Sequence, residues 1–154
     1  MNMGLLKTGQ AILLGGLSAG TLDFIGACVS NASRGVTPLR IAQSIASGLL
    51  GRAAFDGGYK TAALGVALHF VIALGAAAVF CVASTRLRWL VEQPYLSGAL
   101  YGIAVFWFMQ LIVLPLSAIA FKQNFSWRVV ATGLIVHVLC VGLPIALAAR
   151  WHAK

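Results

Sequence analysis

Four apolar stretches, each about 23 residues long, run between residues 8 and 149, and their length decides what the chain can fold into. At 1.5 Å per residue such a stretch reaches about 34 Å as a helix, enough to cross a bilayer core of ~30 Å with modest tilt. A spanning segment must satisfy its own backbone, and only helices and closed barrels do so. The sequence therefore predicts an all-α, polytopic membrane protein forming one integral domain. Its spans are expected at about residues 8–30, 61–84, 95–117 and 127–149.

Composition agrees with this class and excludes others. Sixty per cent of the residues are hydrophobic and 9% are charged, too few polar groups to cover a soluble domain of this length. The net charge of +8 reflects a shortage of acids. All the lysines and arginines except Arg128 lie outside the expected spans, at borders and loops where basic residues meet anionic lipid. With no basic helix face, zinc pattern or aromatic–basic sheet motif, a nucleic-acid partner is not expected. Cys28, Cys81 and Cys140 are far apart and sit in apolar runs, as small buried residues do.

The breaks are legible as well. Thr85-Arg86-Leu87-Arg88-Trp89 and Glu92-Gln93-Pro94 divide the second span from the third, and Lys122-Gln123-Asn124 divides the third from the fourth. Trp89, Tyr95, Trp127 and Trp151 fall at predicted ends, where amphipathic rings favour the headgroup layer. Pro115 and Pro144 read as kinks that a membrane helix tolerates. Ile25-Gly26-Ala27-Cys28 has the look of a cleavage site after a signal segment, but Asp23 interrupts the apolar run, and the first span is expected to be retained. Gly16 with Gly20, and Gly98 with Gly102, have the spacing that lets helix backbones approach closely.

Between the first two spans, Thr37-Pro38 starts a helix and Gly57-Gly58 stops one. Arg40, Gln43, Ser44, Ser47 and Gly51 recur on one face, and Ile41, Ile45, Leu49 and Ala53 on the other. The expectation is an interfacial amphipathic helix over about 38–55, its polar face towards water or headgroups. The tight Arg86/Arg88 turn and the basic C-terminus favour both termini on the cytoplasmic side.

Deep inside the spans, strongly polar residues are single: Asp23, His69, Gln110 and His137. Counted from the terminal side, Asp23 and Gln110 each lie about fifteen residues in, or ~22 Å of helix. Counted from the opposite side, His69 and His137 lie about eight and ten residues in, or ~12 and ~15 Å. All four are thus expected near one level, facing the bundle interior, since ionisable groups in hydrocarbon cost ~2.5–3.5 kcal/mol or more. Such a cluster can lock helix packing through hydrogen bonds. It can relay protons or ions through Asp23, His69 and His137. It can also hold a transition metal or haem iron on His69 and His137, although no cofactor is called for by a motif. No catalytic motif occurs, so the chain is not expected to be an enzyme.

Leu68-His69-Phe70, Gly98-Ala99-Leu100, Leu114-Pro115-Leu116, and then Trp127, Gly133 and His137 give a pattern from Thr61 onwards that resembles the bacterial inner-membrane proteins of the DUF1440/YagU-like type. The resemblance implies a multi-pass location in the bacterial inner (cytoplasmic) membrane and brings no activity with it. The function expected is a non-enzymatic accessory or assembly component of a membrane complex. A proton or ion carrier built on the Asp/His cluster is the alternative, and a haem- or metal-binding electron carrier the second. The partners expected are the lipid bilayer and other membrane subunits or further copies of the chain.

Overall fold

A computed structural model describes residues 3–119 and 125–153. Among these residues the chain is helical, with no strand. Four helices are long and apolar enough to cross a membrane: Leu6–Ala32, Gly58–Arg86, Pro94–Leu116 and Trp127–Ala153. The expected break at Lys122–Asn124 lies outside the described residues.

The first span is one helix, α1 (Met3–Ala32), and a short helix, α2 (Pro38–Leu50), follows it. A 3-10 turn (Gly51–Phe55) leads into the second span, α3 (Gly58–Arg86). The four-residue helix α4 (Trp89–Glu92) joins it to the third span, which runs through α5 (Pro94–Phe108), a π-helical segment (Met109–Val113) and α6 (Leu114–Leu116). The fourth span is built the same way, as α7 (Trp127–Val136), a π-helical segment (His137–Gly142) and α8 (Leu143–Ala153).

The two π segments have a common cause in the sequence. A proline inside a helix has no N–H to give and its ring clashes with the carbonyl four residues back. Pro115 stands four residues after Leu111, and Pro144 four after Cys140, so both threatened carbonyls lie within a π segment. The wider turn re-pairs the backbone around them: the Leu114 N–H donates to the Met109 carbonyl, and the Leu143 N–H to that of Val138.

Glycines fix which spans touch and in what direction. Gly16 lies against Leu74 and Gly20 against Phe70, so α1 and α3 run antiparallel. Gly15 faces Ile145 and Ala148 while Gly26 faces Val136, which sets the fourth span antiparallel to α1. Gly98 and Gly102 of α5 meet Gly142 and His137 backbone to backbone, so close that a methyl group on Gly102 or Gly142 would not fit. Around the bundle, α3 packs on α1, α1 on the fourth span, and the fourth span on α5. The ring is not closed equally well, because α3 and α5 do not pack along each other. They are bridged near the terminal end, where the Tyr101 hydroxyl donates to the Ala76 carbonyl at 2.7 Å and the Tyr101 ring meets Phe80 edge-on at 5.0 Å.

That terminal half is the packed core. Ala11, Ala77, Phe80, Cys81, Ile145 and Ala149 are buried together there, small side chains letting the backbones close in around Phe80 and Ile145. Ser97 is buried and donates to the Leu90 carbonyl at 2.6 Å, while Arg150 donates to that of Glu92 at 3.4 Å, so α4 is tied across this end. Apolar residues such as Leu13, Val71, Val79, Leu111 and Leu139 are exposed along the outer faces, as lipid contact requires, and Trp89, Tyr95, Trp127 and Trp151 are exposed near helix ends.

Helix α2 begins as its sequence predicts, with Pro38 in its first turn and the Arg40 amide donating to the Thr37 hydroxyl at 3.3 Å. Its α-helical part stops at Leu50, because Gly51 takes φ +58° and the 3-10 turn carries the chain on. The expected outward polar face needs correction. Arg40 is exposed and Ser44 partly so, but Gln43 is only 3% exposed and Ser47 is fully buried. Both lie on the side that packs against α3, where the Ala42 carbonyl comes so close to Gly65 that a methyl there would overlap it. Their polar atoms are satisfied internally: Gln43 Nε2 donates to the carbonyls of Gly58 (3.2 Å) and Phe55 (3.5 Å), and Ser47 to that of Ser44 (2.6 Å).

Candidate functional site

Where α3 and the third span fail to pack, a partly open cavity of about 660 Å³ remains. Every span contributes one of the singular polar residues to its wall: Asp23 from α1, His69 from α3, Gln110 from the third span and His137 from the fourth. The structure thus brings all four predicted residues around one space. Helix α2 supplies a further wall through Arg40, Ile41, Ser44 and Ile45. The Gly48 carbonyl of α2 accepts from the Ala118 amide at 2.8 Å, which fastens α2 to the end of the third span. Much of the remaining lining is aliphatic, including Leu68, Ile72, Val105 and Val113.

The level of the four residues is less uniform than residue counting suggests. Helix α1 meets α3 near Gly20 and Phe70, and meets the fourth span near Gly26 and Val136, so Asp23, His69 and His137 share a level. The backbone of His137 packs against Gly102, and Gln110 lies eight residues farther along, about 12 Å nearer the non-terminal end. Equal counting from the span ends missed this because the spans do not start at one plane. Gln110 and His137 also sit in the two π segments, where a wide turn redirects side chains that regular helix would place elsewhere.

The histidines are oriented by backbone carbonyls. His69 Nε2 lies 2.8 Å from the Gly20 carbonyl oxygen, which can only accept, so this nitrogen carries the hydrogen. In the neutral ring Nδ1 then holds the lone pair. His137 has the opposite arrangement: Nδ1 donates to the Gly133 carbonyl at 2.9 Å, leaving the lone pair on Nε2. Phenylalanines stand edge-on beside both rings, Phe24 at 5.7 Å from His69 and Phe106 at 5.3 Å from His137.

Asp23 Oδ2 approaches His69 Nε2 only to 4.0 Å, an electrostatic contact longer than a hydrogen bond. The expected lock of Asp23 on a histidine and Gln110 is therefore corrected: the short bonds run from the histidines to backbone, and among the described residues the Gln110 side chain has no hydrogen-bond partner. Arg40 is the only lysine or arginine on the cavity wall among the described residues. Its guanidinium lies 4.4 Å over the Phe55 ring and donates to the Phe55 carbonyl at 3.5 Å, away from Asp23.

The donor set does not fit a metal cage of Asp23 with two histidines, since no three His, Cys, Asp or Glu side chains converge among the described residues. What the arrangement offers instead is an aliphatic space with hydrogen-bond acceptors at one level. Sequence reasoning missed Arg40, Ser44 and Asn31 as wall residues. Asn31 donates to the Ala27 carbonyl at 2.8 Å and gave no signal of its own. The prolines four residues beyond Leu111 and Cys140 were the available sign that the turns carrying Gln110 and His137 are irregular. In comparison with known proteins, no family model, curated protein or solved structure matches the chain.

Proposed function

We propose that the chain is a non-enzymatic accessory protein of the bacterial inner membrane that takes up a small, largely apolar molecule in the cavity between α3 and the third span. One observation carries this: a cavity of about 660 Å³, of the size that small-molecule sites have, is walled by aliphatic side chains and a few convergent polar groups. The weak packing of α3 on α5 supports entry from the bilayer, where such a molecule would be concentrated. The resemblance from Thr61 onwards to DUF1440/YagU-like proteins supports the location. Arg86, Arg88 and Arg150 near one end support cytoplasmic termini.

The test is binding of a neutral solvatochromic dye by the purified chain in nanodiscs, with empty nanodiscs as background. Saturable binding is expected, lost when the wall is filled by Val113→Trp or Ser44→Phe. Equal binding by the filled variants contradicts the proposal.

The Asp23–His69 contact favours a second reading, proton handling, because it places two titratable groups 4.0 Å apart on a cavity wall. On that reading proteoliposomes carry a pH-driven proton flux that Asp23→Asn abolishes, since an amide cannot titrate. Absence of flux in the unaltered chain rejects it.

A further inference from the structure

We infer that the guest of this cavity is a lipophilic amine, its ammonium head at the Asp23 level and its alkyl chain among the aliphatic side chains. The inference rests on the binding function proposed above and narrows it to a chemical class. The deep wall is almost purely accepting. His69 has committed its N–H to the Gly20 carbonyl and His137 its N–H to that of Gly133, so each neutral ring has only a lone pair left. An ionised carboxylate at Asp23 accepts hydrogen bonds and gives none. The other donors on the cavity wall, Asn31, Arg40, Ser44 and Ser117, each give a hydrogen to a backbone carbonyl, and the Gln110 amide stands about two turns away along the axis.

Charge leads to the same class. A carboxylate inside a bilayer needs a positive partner. His69 Nε2 is turned to the Gly20 carbonyl and stays 4.0 Å from Asp23, and Arg40, the wall's one arginine among the described residues, is stacked on Phe55. An alkylammonium supplies the missing charge together with up to three N–H donors, which the acceptors on this wall can take. Phe24, on the cavity wall beside His69, adds an aromatic ring that attracts a cation. A fatty carboxylate would set like charge against Asp23, and an alcohol brings one donor and no charge.

The experiment measures equilibrium binding of dodecylamine, dodecanol and dodecanoate to the full chain in phosphatidylcholine nanodiscs at pH 7, against empty nanodiscs. The amine is then cationic, since alkylammonium groups such as that of lysine titrate near pH 10.4. Dodecylamine is expected to bind saturably and at least tenfold more tightly than dodecanol, with dodecanoate weakest. Asp23→Asn should lower the amine to the level of the alcohol, and Asp23→Glu should keep the amine preference. Equal binding of amine and alcohol by the unaltered chain, both lost in Val113→Trp, overturns the amine assignment and leaves the cavity function standing. Amine preference that survives Asp23→Asn also overturns it. If none of the three compounds binds above empty nanodiscs, the cavity function falls with it.

Discussion

Asp23 and His69 face each other at 4.0 Å, yet the hydrogen bond that orients the histidine goes to Gly20. Asp23→Asn should therefore not destabilise, since it breaks no short hydrogen bond and removes a charge that is costly inside a bilayer. His69→Phe, which removes the bond to Gly20, should cost about 0.6–1.7 kcal/mol, the range of polar contacts between membrane helices. Thermal unfolding in one detergent ranks the two, and a larger loss for Asp23→Asn contradicts the geometry. Glycines offer a sharper contrast. Gly102→Ala drives a methyl into the His137 backbone and should cost ~1–3 kcal/mol by overpacking. Gly75 has open space around it, so Gly75→Ala should stabilise by about 0.5–1 kcal/mol through helix entropy. The four polar wall residues were legible in the sequence because each is alone in an apolar run. Their partners were not, because the carbonyls of Gly20 and Gly133 leave no trace in a side-chain pattern.

Among the elements, the spans were legible because hydropathy and length are set by the bilayer, and Thr37-Pro38 marked the start of α2 correctly. The side that α2 turns inward was not. A helical wheel separates polar from apolar residues, but it cannot tell that Gln43 and Ser47 will find backbone carbonyls inside the protein. Gln43→Leu removes two internal hydrogen bonds from carbonyls that keep Arg40 and Thr61 as donors, so it should destabilise by about 0.5–1.5 kcal/mol, and an unchanged melting temperature would count against the buried face. The π segments were hidden for a different reason: proline predicts a disturbed turn without specifying how the backbone will re-pair. Pro144→Ala allows regular i→i−4 bonding to resume and should turn His137 relative to Gly102. Dodecylamine binding should weaken while the melting temperature holds or rises. Binding equal to that of the unaltered chain would show that the π segment does not position the wall.

At the scale of the molecule, the bundle has a closed half and an open half. Small residues close the terminal half around Phe80 and Ile145, and the separation of α3 from the third span opens the other. The sequence could place polar residues in one half of the bilayer, but not a cavity, which depends on which pairs of helices fail to pack. Antiparallel spans put Arg52 and Arg88 on opposite sides, and cysteines at these two positions that label from the same side would rule out four crossings. The most direct test of the two-ended bundle is labelling with a membrane-impermeant maleimide in a chain carrying Gln110→Cys, with Cys28 and Cys140 replaced by alanine. Position 110 lies on the wall of the large cavity, whereas Cys81 is only 2% exposed, on the wall of a small pocket of about 130 Å³ at the terminal end. The account predicts that position 110 reacts from the side bearing Arg40, and that Cys81 reacts from neither side. A reactive Cys81 with position 110 protected from both sides would contradict it.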